Sequence, residues 1–145
     1  MDDEIFEVSS GEYLISTDKA RLEIDRIYTF LHQTYWGKKR TKAIQQKAIE
    51  HSLCFGIYTH GKQIGFCRLI TDHATYAYVT DFFIFTPHQR QRIGTCLLRT
   101  IFTVPSLKHI KHWSLTTRDA QDFYKRFNFS PLKHPTRVLE LCTDL

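Results

Sequence analysis

No apolar run in this chain approaches the ~20 residues that a membrane-spanning helix needs, so no membrane partner is expected. The first residues, Met-Asp-Asp-Glu, are acidic, where a signal peptide starts basic and then turns apolar, so a cytoplasmic setting is expected. The four cysteines, Cys54, Cys67, Cys96 and Cys142, include no C-x-x-C pair, and the gaps between them are long and uneven. That pattern gives no support to a zinc site or a redox couple, and no metal is expected. The eight histidines contain no H-E-x-x-H, and His109-x-x-His112 reads as a surface pair. Internal repeats, low-complexity tracts and linkers are lacking too.

What remains is 145 residues, 42% hydrophobic and 24% charged, which fits one globular domain over residues 1–145. Three cysteines lie in apolar runs (Leu53-Cys54-Phe55, Phe66-Cys67, Cys96-Leu97-Leu98) and are expected in the core. The net charge of +5 raises the question of nucleic acid. The densest basic run, Lys38-Lys39-Arg40-Thr41-Lys42, reads as a solvated loop or an anion contact. It carries no helix-turn-helix, zinc-finger or RNP pattern, so no nucleic-acid partner is expected. Aromatics are plentiful, with eleven Phe, seven Tyr and two Trp, and can serve either a core or a pocket.

Periodicity orders the chain. A short strand over 13–17 precedes a helical pattern from Asp18, with Ile24, Ile27, Tyr28 and Leu31 on one stripe, which Gly37 breaks. A second helix spans about Thr41 to His51. Strands follow over 53–59 and 63–71 around a His60-Gly61-Lys62 turn, then a long strand over 75–86 that Pro87 ends. A helix over 92–102, a strand over 112–116, a helix over 119–127 and a last strand over 137–142 complete the order. Antiparallel strands followed by a β-α-β unit predict an α+β fold of three layers. Its central sheet is mixed and mainly antiparallel, with six or seven strands and about four helices.

The informative segment runs from Asp81 to Leu98, where a strand passes through a loop directly into a helix. Backbone N–H groups at a helix start are unpaired and partly positive, so they hold anions. Arg90 and Arg92 add full charge there, and a pyrophosphate would fit; the alternative is a helix start with solvated basic residues.

Gln89-Arg90-Gln91-Arg92-Ile93-Gly94 resembles the acetyl-CoA loop of the GCN5-related N-acetyltransferase (GNAT) family, Q/R-x-x-G-x-G/A, and Phe83-Ile84-Phe85-Thr86-Pro87 looks like the strand leading into it. Thr116 to Phe129 is similar to the family's second signature, L-Y-x-x-x-G-F. The resemblance covers about residues 12–142. It implies acetyl-CoA as co-substrate, contacted by Phe83, Ile84, Phe85, Gln89, Arg90, Gln91, Arg92, Ile93, Gly94, Thr95, Thr117 and Asp119. Three positions depart from the pattern. Arg92 and Asn128 stand at usual glycines, and Thr117 at a common asparagine. Asn tolerates a left-handed conformation better than most residues. Asp119 reads first as a helix cap.

By the same resemblance the chain is an N-acetyltransferase acting on a primary amine, small or peptidic, by direct attack in a ternary complex. The backbone N–H of Phe83 or Ile84 would polarise the thioester, and Tyr124 would protonate the leaving thiolate. Asp81 interrupts an apolar strand on the face shared by Val79, Phe83 and Phe85, and reads either as the base or amine ligand or as a salt bridge to Arg68. Tyr35, Trp36, Tyr76 and Tyr78 are candidates for the acceptor pocket. Two other readings remain at this stage: a catalytically weak acyl-CoA-binding module, motivated by Arg92, and a homodimer as the assembled form.

Overall fold

The computed structural model describes residues 4–143; the acidic start, Met1-Asp2-Asp3, lies outside them. Six strands form one sheet in chain order: β1 (Glu7–Ser10), β2 (Tyr13–Ser16), β3 (Leu53–Thr59), β4 (Lys62–Thr71), β5 (Ala77–Ile84) and β6 (Trp113–Leu115). All neighbours are antiparallel except β5 and β6, which are parallel. Helices α1 (Ile24–His32) and α2 (Lys42–Glu50) precede β3; α3 (Ile93–Ile101) and α4 (Gln121–Lys125) flank β6. The mixed, mainly antiparallel α+β sheet matches expectation.

Local chemistry explains the elements. Thr41 caps α2 by accepting the Ile44 N–H at 3.1 Å. The β3–β4 hairpin turns on His60 and Gly61, both at positive φ (51° and 76°), as a two-residue turn matched to strand twist requires. Ile93, Leu97, Leu98 and Ile101 bury one face of α3 against Phe55, Ile57, Ile64, Cys67, Leu69, Ala77 and Val79. Each such side chain contributes about 1.5–3 kcal/mol. On the other face, Leu22, Ile27, Leu31 and Ile49 pack with Cys54, Phe66, Phe83 and Phe85. Helices therefore cover both sides of the sheet.

Four sequence readings need correction. The β1 strand was not anticipated, because Glu7–Ser10 is exposed along its whole length and carries no apolar period. Helix α4 is shorter than 119–127. The strand over 137–142 does not form. Pro131 and Pro135 bracket its approach, and Val138, Leu139 and Leu141 stand in solvent with no ladder (Leu139 91% exposed, Leu141 88%). Strand propensity needs a paired neighbour to become a strand.

The fourth correction concerns β5. Phe66 pairs with Phe83 and Arg68 with Thr80, so Asp81 and Phe82 together oppose Cys67. This is a β-bulge. Asp81 sits there at φ 48°, a left-handed conformation that Asp accepts more readily than most residues. The extra residue reverses which side chains face which layer. Val79 points to the α3 side, whereas Phe83 and Phe85 point to the α1/α2 side. Asp81 therefore shares a face with the two phenylalanines and not with Val79.

Candidate functional site

β5 and β6 pair only over Ala77–Val79 and Trp113–Leu115, then part. Beyond Val79, β5 has no ladder partner on that side. The Phe85 N–H is used by Ile64 O on β4 at 2.9 Å, so by strand alternation the Ile84 N–H points the other way, into the opening. Of the two backbone N–H groups that the sequence left equal, those of Phe83 and Ile84, it is Ile84 whose N–H faces the opening. The side chains of Phe83 and Phe85 belong to the α1/α2 core, stacked with Phe30 and with each other.

At the end of β5, Pro87 opens a short 3-10 turn over Thr86–His88. The Gln89 amide folds back to donate to Ile84 O at 2.9 Å. Arg90 and Arg92 both adopt positive φ (66° and 63°), and Gln91 lies between them. Arg92 is the N-cap of α3 without a side-chain capping bond. The first helical bond runs from Cys96 N–H to Arg92 O at 3.1 Å. The N–H groups of Ile93, Gly94 and Thr95 therefore precede the helical ladder and are left for an outside acceptor. Gly94 is not required by the packing. A β-carbon there would meet only ordinary contacts at 3.5–3.8 Å, from Phe82, Phe123 and Ile84.

Across the opening stands α4. Tyr124 is 9% exposed, with its ring against Phe82, Phe123 and Phe129. Burial pushes its phenol above the ordinary tyrosine range, so it holds its proton at neutral pH. It lines a hollow of about 350 Å³ together with Thr116, Thr117, Gln121 and Phe129. Asp119 does not cap α4, whose N-cap is Ala120. The local cap is the Thr117 hydroxyl, which accepts the Ala120 N–H at 3.0 Å and keeps its own proton to donate. Asn128 takes φ 71°, and bonds from Asn128 N–H to Lys125 O and Phe129 N–H to Tyr124 O close the helix. That is the left-handed ending its sequence position required.

Asp81 lies apart from this chemistry. It is 2% exposed and saturated with donors. Trp36 Nε1 donates to Oδ1 at 2.8 Å, and Arg40 and Arg68 donate to Oδ2 at 2.7 and 2.9 Å. Burial alone would raise its pKa; the hydrogen bonds and charge of Arg40, then those of Arg68, outweigh burial and hold the carboxyl below the ordinary range. A carboxylate held this way is a poor base. Of the two readings of Asp81, the structure carries the salt bridge to Arg68, and adds Arg40 and Trp36, which the sequence did not connect to it. Arg40 comes from the unexplained basic run, and Lys42 of the same run pairs with Asp25 at 2.5 Å. These pairings make both residues internal contacts and not an anion site. The buried thiols offer no nucleophile, since burial pushes Cys54 up to about 12 and Cys67 well above its usual value.

The four pocket aromatics line the α1/α2 side of the β5–β6 junction. Tyr76 hydrogen-bonds Ser114, and the Tyr78 hydroxyl donates to Thr116 Oγ1 at 3.0 Å. The Tyr35 hydroxyl accepts the Arg118 N–H at 3.2 Å, and the Arg118 guanidinium lies 3.8 Å over the Tyr35 ring. One cation thus already occupies the Tyr35 face. Trp36 packs edge-on against Tyr35 while its N–H serves Asp81. Ser114, Thr116 and Arg118 were missed in the sequence. The visible signal was the alternation of Ser114 and Thr116 with the apolar Trp113 and Leu115, which sets both hydroxyls on one strand face.

Comparison with known proteins meets the same geometry. The model of the acetyltransferase (GNAT) domain matches residues 50–131, from the last residue of α2 to beyond the end of α4. A crystal structure of a candidate GNAT-family acetyltransferase from Xanthomonas campestris pv. campestris superposes with a TM-score of 0.88 at 35% identity, covering 93% of this chain and 96% of that one. A candidate acetyltransferase from meticillin-resistant Staphylococcus aureus gives 0.68 at 18% identity, with 90% and 98% covered, and speaks for the fold alone. The candidate acetyltransferase FG08082 of Gibberella zeae is 27% identical over 135 residues, spanning 79% of this chain and 76% of its own length. With the parted strands, the loop of free N–H groups and the tyrosine helix in the matched region, the chain belongs to the GNAT family of acetyltransferases.

Proposed function

We propose that the protein is an acetyl-CoA-dependent N-acetyltransferase that moves the acetyl group to a primary amine by direct attack in a ternary complex. The observation that carries this reading is the opening of β5 from β6 directly beside the free N–H groups of Ile93–Thr95. The first would take a thioester along an unpaired strand, and the second would take its pyrophosphate at a helix start. GNAT acetyltransferases generally use acetyl-CoA, and the residues present fit it. Gln89, Arg90, Gln91, Arg92, Ile93, Gly94 and Thr95 would hold the pyrophosphate. Thr117 would donate to the pantetheine arm, with Asp119 in the same turn.

The amine nitrogen attacks the carbonyl carbon, whose oxygen gathers charge against the Ile84 N–H. The carbon–sulfur bond then breaks, and the thiolate takes the Tyr124 proton, which solvent replaces. The proton lost by the amine passes to water at the opening, because Asp81 is sealed away. The acceptor enters on the α1/α2 side, past Tyr35, Tyr76 and Tyr78. The alternative, a catalytically weak acyl-CoA module, drew on Arg92 replacing glycine. Arg92 reproduces the left-handed turn that glycine would supply, which favours the active reading.

A thiol-release assay across small amines and peptides tests this. Wild type turns over at least one class, and Tyr124→Phe lowers kcat about 100-fold with acetyl-CoA still bound. Turnover unchanged by Tyr124→Phe at every pH removes the acid role, and no binding at millimolar acetyl-CoA removes the function. We propose as well that two copies associate through the Val138–Leu141 segment, whose leucines are left in water. Light scattering would show a dimer that Leu139→Ser with Leu141→Ser converts to monomer; a wild-type monomer at all concentrations overturns it.

A further inference from the structure

Arg118 follows β6 and reaches the aromatics on the α1/α2 side of the β5–β6 junction, where its position is fixed twice. Its backbone N–H donates to the Tyr35 hydroxyl at 3.2 Å, and its guanidinium carbon lies 3.8 Å from the centre of the Tyr35 ring. A guanidinium drawn to a ring face keeps its N–H groups for other partners, because the attraction is to the ring's charge distribution and needs no hydrogen bond. Among the described residues it finds none. No carboxylate pairs with it, that of the neighbouring Asp119 included, and no oxygen accepts from its side chain.

The hydroxyls beside it are in the same condition. The Tyr35 oxygen takes the Arg118 N–H, and its own proton has no taker among the described residues. The Thr116 oxygen takes the Tyr78 hydroxyl at 3.0 Å, and its own proton is likewise free. Thr117, between Thr116 and Arg118, is turned away to the Ala120 N–H. The carboxylate that this cluster does touch is Asp81, which takes the Trp36 N–H and is 2% exposed. It therefore presents nothing to an incoming molecule.

The cluster thus offers one guanidinium and two hydroxyl protons. A carboxylate is their complement: it carries the opposite charge, only accepts, and fits the guanidinium fork with both oxygens. A second ammonium group on the substrate would meet a cation already seated on the Tyr35 face. A plain alkyl chain would leave the three donors to water.

We propose that the amine substrate also carries a carboxylate, as amino acids and peptides with a free C-terminus do, and that Arg118, seated on Tyr35, selects it by pairing with that carboxylate. The inference rests on the acetyl-transfer reading above and narrows it. Diamines and uncharged alkylamines become poor substrates, and Arg118 becomes a specificity-determining residue with no part in the bond-making step.

The test is thiol release from acetyl-CoA by the full chain with matched amines: lysine against cadaverine, γ-aminobutyrate against propylamine, and one dipeptide with its C-terminus free against amidated. Each pair differs in the carboxylate. Wild type should use the carboxylate member of at least one pair with a kcat/KM about tenfold higher or more, the worth of a charged hydrogen bond. Arg118→Gln should bring that pair together by raising KM for the carboxylate member with little change in kcat. Arg118→Lys, which keeps the charge and loses the fork, should recover part of the difference. A purely structural role would move both members of a pair alike. Equal use of both members by wild type, or preference for the member without the carboxylate, overturns the proposal and leaves the acetyl-transfer reading standing. A preference that survives Arg118→Gln also overturns it. No thiol release with any amine overturns the acetyl-transfer reading, and this proposal with it.

Discussion

Two groups of arginines in this fold play opposite parts. Arg40 and Arg68 converge on Asp81, and they also donate to Gln45 and Ser52 respectively. Arg92, Arg99 and Arg126 converge on a cleft with no carboxylate. In the first group the chain supplies both charges, so the arginines build structure: they tie the loop after α1 and the start of α2 to β4 and β5. In the second it supplies one sign, and the other has to come from outside. Charge that the fold neutralises for itself is architecture; charge that it leaves open is an address for a ligand.

That contrast can be broken deliberately. Asp81→Asn turns the first group into a copy of the second, inside the protein. Leaving Arg40 and Arg68 uncompensated should cost about 3–5 kcal/mol, read as a lower urea midpoint. The sign with pH follows from the depressed pKa of Asp81. Its contribution is fully present above the unfolded Asp value near 4 and is lost as pH falls through the lower folded value. Wild type should therefore lose stability on acidification in that window, and Asp81→Asn should lose less. Equal acid sensitivity would show that the pair is not what holds this corner.

A smaller effect is expected at Arg92. Glycine adopts φ 63° without the steric cost that a side chain carries, so Arg92→Gly should raise the stability of the free protein by about 1 kcal/mol. It should also weaken the dependence of acetyl-CoA affinity on salt, because one cation is gone. Smallest of all, Arg99→Gln should leave the melting point of the free protein within about 0.5 kcal/mol of wild type or slightly higher. Arg68→Gln should lower it clearly. If the two behave alike, the division between the groups fails.

The sequence made most of this legible, for a physical reason in each case. The periodic apolar residues of α1 and α3, the His60-Gly61 turn and the Pro87 stop are local signals, and local signals survive in a linear reading. Gln89 through Gly94 was readable because a phosphate loop is contiguous. The non-local features were hidden. Arg40, 41 positions before Asp81, shows no sign of its partner in the sequence. Arg118 gives no hint of lying over Tyr35. The Arg99–Arg126 cleft joins two helices, and one of its walls depends on where α4 ends. The strand over 137–142 failed in the opposite direction: its residues suit a strand, but the neighbour it needs is not supplied within this chain's sheet.

The bulge at Asp81 has a further consequence. A strand has only two sides, so its side chains can be numbered even and odd, and one extra residue swaps the two sets from that point on. The strand β5 is thus two texts in different reading frames, joined at a single letter. Replacing that letter removes a charge. Deleting it would merge the two frames into one regular strand, in which Phe82 and Ile84 keep the α3 side and Phe83 and Phe85 the α1 side, at the cost of the carboxylate that Trp36, Arg40 and Arg68 share. Inserting a second extra residue beside it would instead turn Phe83 and Phe85 toward α3, so insertions here should be far less tolerated than substitutions.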